Sequence, residues 1–79
     1  MKAITKLPIG KTAGERIRKR RLQLGLDSQR KLSVKADIAS SAISLYETGA
    51  RALGLVNARR LAEALDVSLG WLLEGEGDE

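Results

Sequence analysis

The chain has no cysteine, no histidine and no phenylalanine, and one residue each of proline, tryptophan and tyrosine. Without Cys no disulfide forms. Without Cys and His the usual zinc and copper sites lose their preferred ligands, so neither a metal nor a cofactor is expected. Nucleophilic catalysis is disfavoured on the same ground: no thiol is present, and no serine has a plausible general base beside it. The chain is not read as an enzyme. No apolar run approaches the ~18 residues of a membrane-spanning helix. Lys2 and Lys6 are not followed by the apolar core of a signal peptide. With these addresses missing and no covalent staple, the expected location is the cytoplasm. Alternating Val/Ile/Thr stretches are also missing, which argues against strands.

What is present is a helix-forming composition of Leu, Ala, Arg, Lys and Glu, and the expected fold is all-α. The 79 residues make one domain at most, and a chain of this size buries roughly 60% of its unfolded surface, enough for one thin core. The net charge of +4 is unevenly spread. Residues 1–26 hold eight Lys/Arg against one Glu, residues 27–53 four against three acids, and residues 54–79 two against six. A basic front attracts a polyanion and an acidic end avoids it.

Residues 1–13 lack helical periodicity and read as a basic N-terminal arm with Lys2, Lys6 and Lys11, either flexible or laid along a nucleic-acid groove. Gly10-Lys11-Thr12 looks like the end of a phosphate-binding loop, but Thr5 stands where that pattern needs Gly. The domain proper spans 14–74. Helix 1 is expected over about 14–24, stopped by Gly25. Its inner stripe, Ile17, Arg21 and Leu24, carries a guanidinium, and a buried guanidinium needs a partner. Ser28 caps helix 2, with Leu32 and Ala36 as its buried line. Asp37 falls where the turn requires a positive φ, which Asp tolerates at some cost.

Helix 3 is expected over about 40–48, ending at Gly49. Ile43, Tyr46 and Glu47 face inward, and Ser41, Ser44, Leu45 and Thr48 face outward. Glu47 is then the carboxylate that Arg21 needs, so an Arg21–Glu47 structural ion pair is expected. Helix 4 runs over about 55–65, with Ala58, Leu61 and Leu65 inward and Asp66 at its end. Ser68 caps a last helix from Leu69 to about Glu74. Residues 75–79 read as an acidic tail or the start of a hinge leading to a larger C-terminal domain.

The pieces Arg-Leu-Gln-Leu-Gly-Leu (21–26), Ser-Gln-Arg-Lys-Leu (28–32), Ser-Ala-Ile-Ser-Leu-Tyr-Glu-Thr-Gly (41–49) and Arg-Leu-Ala-Glu-Ala-Leu-Asp-Val-Ser-Leu-Gly-Trp-Leu-Leu (60–73) resemble the phage-repressor helix-turn-helix domain of the Cro/CI or XRE type. The likeness covers about three quarters of the chain. It implies a compact five-helix, lambda-repressor-like domain whose helix 3 enters the major groove of double-stranded DNA. It also implies transcriptional regulation, with repression expected, in a bacterial or phage protein that acts as a homodimer on a two-fold operator. Arg21 and Glu47 fall on the family's ion-pair positions. Three features depart from the motif. An extra residue stands at Asp27-Ser28. Ser33 and Asp37 replace the preferred Ala and Gly. Ala39 stands where a capping Ser or Thr is common, leaving Ser40 as the substitute cap.

On this resemblance the expected base contacts are Ser40, Ser41, Ser44 and Leu45. Short hydroxyls bond several bases with little selectivity, so shape should carry much of the sequence preference. Phosphate contacts are expected from Arg16, Arg20, Ser28, Gln29 and Arg51. With roughly six phosphates neutralised, the log–log salt slope of affinity would lie near −5. Trp71 and Leu72 either close the core or meet a second protomer. The alternative class is a protein-interaction module, such as an antitoxin or adaptor, because helix 3 lacks strong base-coding side chains. A membrane-surface role for helix 1 is disfavoured by Arg21 on its would-be apolar face.

Overall fold

Thr12 opens the first helix with a reciprocal cap. Its hydroxyl accepts from the Glu15 backbone N–H, and the Glu15 carboxylate accepts from the Thr12 N–H, satisfying two donors that a helix start leaves unpaired. The computed structural model describes residues 12–75. Within them the chain forms α1 (Ala13–Gln23), α2 (Gln29–Ala36), α3 (Ser40–Thr48), α4 (Leu55–Leu65) and α5 (Leu69–Glu74). No strand occurs among the described residues. Residues 1–11 of the expected arm 1–13, with Lys2, Lys6 and Lys11, and residues 76–79 of the expected tail 75–79 lie outside them, whereas Thr12 caps α1, Ala13 opens it and Gly75 closes α5.

The helix ends follow local chemistry. Gly25, at φ +78°, turns the chain out of α1. Ser28 caps α2 by accepting from the Lys31 N–H, and Ser68 caps α5 by accepting from the Trp71 N–H. Asp37 and Asp66 close α2 and α4 in the left-handed region, at φ 57° and 58°. The first is braced from three sides. The Ile38 N–H donates to the Ser33 carbonyl, the Ser33 hydroxyl donates back to the Ile38 carbonyl, and Arg60 Nη1 donates to the Asp37 carbonyl at 3.1 Å. Ser33, a departure from the motif, is thus part of the turn's own hydrogen bonding. At the start of α3 the sequence expectation needs correcting. Ala39 is the cap, with no side-chain hydrogen bond, and Ser40 is the first helical residue.

The core gathers Ile17, Leu32, Ile43, Leu61, Leu65 and Leu72, all fully buried, around which Ala36, Ile38, Tyr46 and Trp71 pack. It therefore draws from all five helices. Burying such aliphatic side chains contributes roughly 1.5–3 kcal/mol each before chain entropy is charged against it. Trp71 and Leu72, at 4% and 0% exposure, belong wholly to this core. Of the two readings of these residues, their burial supports closure of the core and leaves them no surface for a second protomer.

α1 and α3 approach unusually closely. A Cβ on Gly14 would stand 2.1 Å from the Tyr46 carbonyl oxygen and 3.0 Å from that of Glu47. Only a residue without a side chain lets the first turn of α1 lie against the end of α3. Tyr46 in turn accepts on its hydroxyl from Asn57 Nδ2 at 2.7 Å, which ties α3 to α4.

Candidate nucleic-acid interface

The centre of the site is a buried carboxylate. Glu47 Oε2 accepts from Arg21 Nε at 2.8 Å, and Oε1 accepts from Arg21 Nη2 at 3.2 Å and from Gln29 Nε2 at 3.0 Å. The Arg21 and Glu47 side chains are only 6% and 4% exposed. The remaining arm of the guanidinium, Nη1, donates to the Leu26 carbonyl at 2.9 Å. One cation therefore holds three pieces at once: α1, the end of α3 and the loop entering α2. The planar fork of Arg suits this bidentate arrangement, and a Lys would not reproduce it. Burying such a pair costs several kcal/mol per ion in desolvation, offset only when every polar atom is matched. Among the described residues no buried side-chain nitrogen or oxygen lacks a partner.

This network fixes the roll of α3. With Ile43, Tyr46 and Glu47 turned inward, Ser41 and Thr48 are exposed and Ser44 and Leu45 half-buried on the opposite side. Ser40 is half-buried at the helix start. Thr48 bonds back to the Leu45 carbonyl at 3.2 Å, whereas no hydrogen bond among the described residues engages the hydroxyls of Ser40, Ser41 or Ser44. The outer face of α3 is thus a row of short hydroxyls with one leucine. At its end Gly49, in the left-handed region, turns the chain toward an exposed Arg51. At the near end of α2, Ser28 and Gln29 are half-buried at the start of the helix, where backbone N–H groups and the helix dipole favour an anion.

Two basic residues of α1, Arg16 and Arg20, make contacts that were not expected. Arg16 is 4% exposed, and its Nε donates to the Leu72 carbonyl at 2.9 Å. Its guanidinium lies beside Gly75, at the end of α5. Four residues along, Arg20 Nε donates to the Leu65 carbonyl at 2.9 Å, while its Nη1 donates to Gln23 Oε1 at 3.3 Å. Leu65 and Leu72 lie in the last turns of α4 and α5, whose carbonyls have no intrahelical donor. Arg16 and Arg20 therefore cap two helix ends, where a cation also meets the favourable end of the dipole. The assignment of Arg16 to a phosphate is corrected by this burial, and Arg20, half-buried, gives its Nε to a contact of the same kind.

Exposed charge remains on α2. Lys31 Nζ and Asp27 Oδ1 pair at 2.9 Å across one turn. The hydrogen bond and charge of Lys31 hold the Asp27 carboxyl below its ordinary pKa.

Three comparisons bear on this arrangement. A family model described as helix-turn-helix matches residues 17–72, the span from the first core residue of α1 into α5. No curated protein matches the chain. Among solved structures, the P22 c2 repressor protein, crystallised in complex with the synthetic operator 9T, is similar. It is 34% identical in sequence, at a TM-score of 0.75, over 82% of this chain and 97% of that one.

Proposed function

The chain belongs to the helix-turn-helix family, and from that premise we propose that it binds double-stranded DNA sequence-specifically and regulates transcription as a repressor. α3 enters the major groove with Ser40, Ser41, Ser44 and Leu45 toward the base edges. Ser28, Gln29 and Arg51 reach phosphates on either side. The observation that carries this reading is the outer face of α3. Among the described residues no hydrogen bond engages its serine hydroxyls, and its orientation is set by the buried Arg21–Glu47 pair behind it. The similarity to a repressor crystallised on a synthetic operator supports the same reading. The domain acts as a homodimer on a two-fold site, in the cytoplasm where the DNA lies. No described helix is long and apolar enough to cross a membrane.

The second class, an interaction module on the same scaffold, is favoured only by the mild chemistry of α3. Fluorescence anisotropy with a labelled duplex at low and high salt separates the two. Tight binding that weakens steeply with salt supports DNA recognition, whereas no binding at either salt supports the module. Sedimentation with and without the duplex tests the dimer, which an exclusively monomeric species in both would contradict.

A further inference from the structure

Gln29 opens α2 and was expected to face a phosphate, yet its amide Nε2 donates to Glu47 Oε1 at 3.0 Å. An ionised carboxylate only accepts, so the amide must turn its NH₂ end toward it. The acceptor is not a surface group: the Glu47 side chain is 4% exposed and already takes two hydrogen bonds from Arg21. Gln29 is therefore the third donor on a buried anion. The bond spans 18 residues of sequence and joins the first turn of α2 to the last turn of α3. It restrains the angle between the helix whose start faces phosphate and the helix whose outer face meets the bases. The second N–H and the amide carbonyl of Gln29 stay available to a ligand.

The two roles differ in what they do to DNA binding. A contact to phosphate carries no sequence information, so its loss weakens every duplex alike. A contact that holds α3 in place acts on base-edge geometry, so its loss falls mainly on the preferred sequence. We propose that Gln29 is a positioning residue for sequence recognition, acting through Glu47 to hold α3 in register with the groove. This rests on the DNA-binding reading above.

The test compares two duplexes. One is the duplex that the wild-type protein enriches from random DNA, and the other is a scramble of it with the same length and composition. The readout is the ratio of the two dissociation constants for the wild type, Gln29→Met, Gln29→Ala and Gln29→Lys, with a thermal melt of each variant. Met keeps the side-chain volume and loses the donor, Ala is a second loss of the donor, and Lys keeps a donor for Glu47. The expected result is a ratio about tenfold lower in Gln29→Met and Gln29→Ala, the scale of one base discrimination. Affinity for the scramble falls only by what one phosphate contact contributes, well short of the loss on the enriched duplex, and the ratio is preserved in Gln29→Lys. Equal losses on both duplexes in Gln29→Met would make Gln29 a plain phosphate contact and overturn the proposal. So would a ratio in Gln29→Lys as low as in Gln29→Met. A wild-type preference that survives all three variants overturns this inference alone. A wild-type protein that enriches no sequence overturns the DNA-binding reading, and this inference with it.

Discussion

At Gly14 the absence of one carbon decides how close two helices come. Its place near the start of α1 would normally favour Ala by about 1 kcal/mol of helix propensity. Here a β-carbon would meet backbone at 2.1 Å, and backbone cannot swing aside as a side chain can. Gly14→Ala should therefore destabilise the domain by about 2 kcal/mol, in the range of overpacked cores. Urea denaturation reads this as a lower midpoint at unchanged slope. A gain in stability would mean that α1 and α3 do not meet there. Asp27 offers a second single-residue test. Its carboxyl is held below the ordinary value by Lys31, so what the pair contributes is present above the unfolded pKa and lost as pH falls through the folded one. An NMR titration should place Asp27 below an ordinary aspartate, and Lys31→Met should return it to the ordinary range. The pair is exposed, so salt should shrink the difference.

Between elements, the buried Arg21–Glu47 contact is the principal lock. Removing one partner leaves an unpaired buried charge, whereas replacing both with apolar groups removes the problem. Arg21→Met and Glu47→Leu should each cost about 3–5 kcal/mol, and the double variant distinctly less than their sum. A coupling energy of zero in this double-mutant cycle would contradict the lock. This pair is also where sequence patterning was most informative. An Arg on the inward stripe of α1 and a Glu on the inward face of α3 each demand a partner. Apolar spacing and end signals likewise located the helices, with α4 and α5 beginning and ending as read. The start of α1 came out one residue earlier because Thr12-Ala-Gly-Glu15 carries capping-box spacing, a signal that was there to be read. The roles of Arg16 and Arg20 were hidden for a physical reason. Their partners are the Leu72 and Leu65 carbonyls, and a backbone acceptor has no side-chain signature. The Gln29–Glu47 bond was hidden because polar side chains across 18 residues leave no periodic pattern. Gly14 was passed over because its reason lies in a neighbouring helix.

For the whole molecule, the correction at Arg16 redistributes the expected electrostatics. A basic front was legible in the sequence, but part of it closes helix ends rather than facing a polyanion. Arg51, exposed beyond α3, should behave as a phosphate contact. Arg51→Ala should flatten the log–log salt slope by about 0.9 and weaken all duplexes alike. Arg16→Gln should lower the melting temperature and leave the slope unchanged. A slope that flattens in Arg16→Gln and not in Arg51→Ala would reverse the assignment. On the proposed function, the mild chemistry of the α3 face should make direct readout modest and leave spacing and duplex shape to supply much of the preference.

The outer face of α3, set by the buried network behind it, is proposed to read DNA as one half of a two-fold complex. Selection from a pool of random duplexes, followed by sequencing of the bound fraction, tests this most directly. The predicted result is an enriched, inverted-repeat site with half-site centres about 10–10.5 base pairs apart or a multiple of that, whose enrichment disappears in Ser41→Glu and Ser44→Glu variants that remain folded. Recovery of a pool with no enriched sequence at any salt concentration would contradict it.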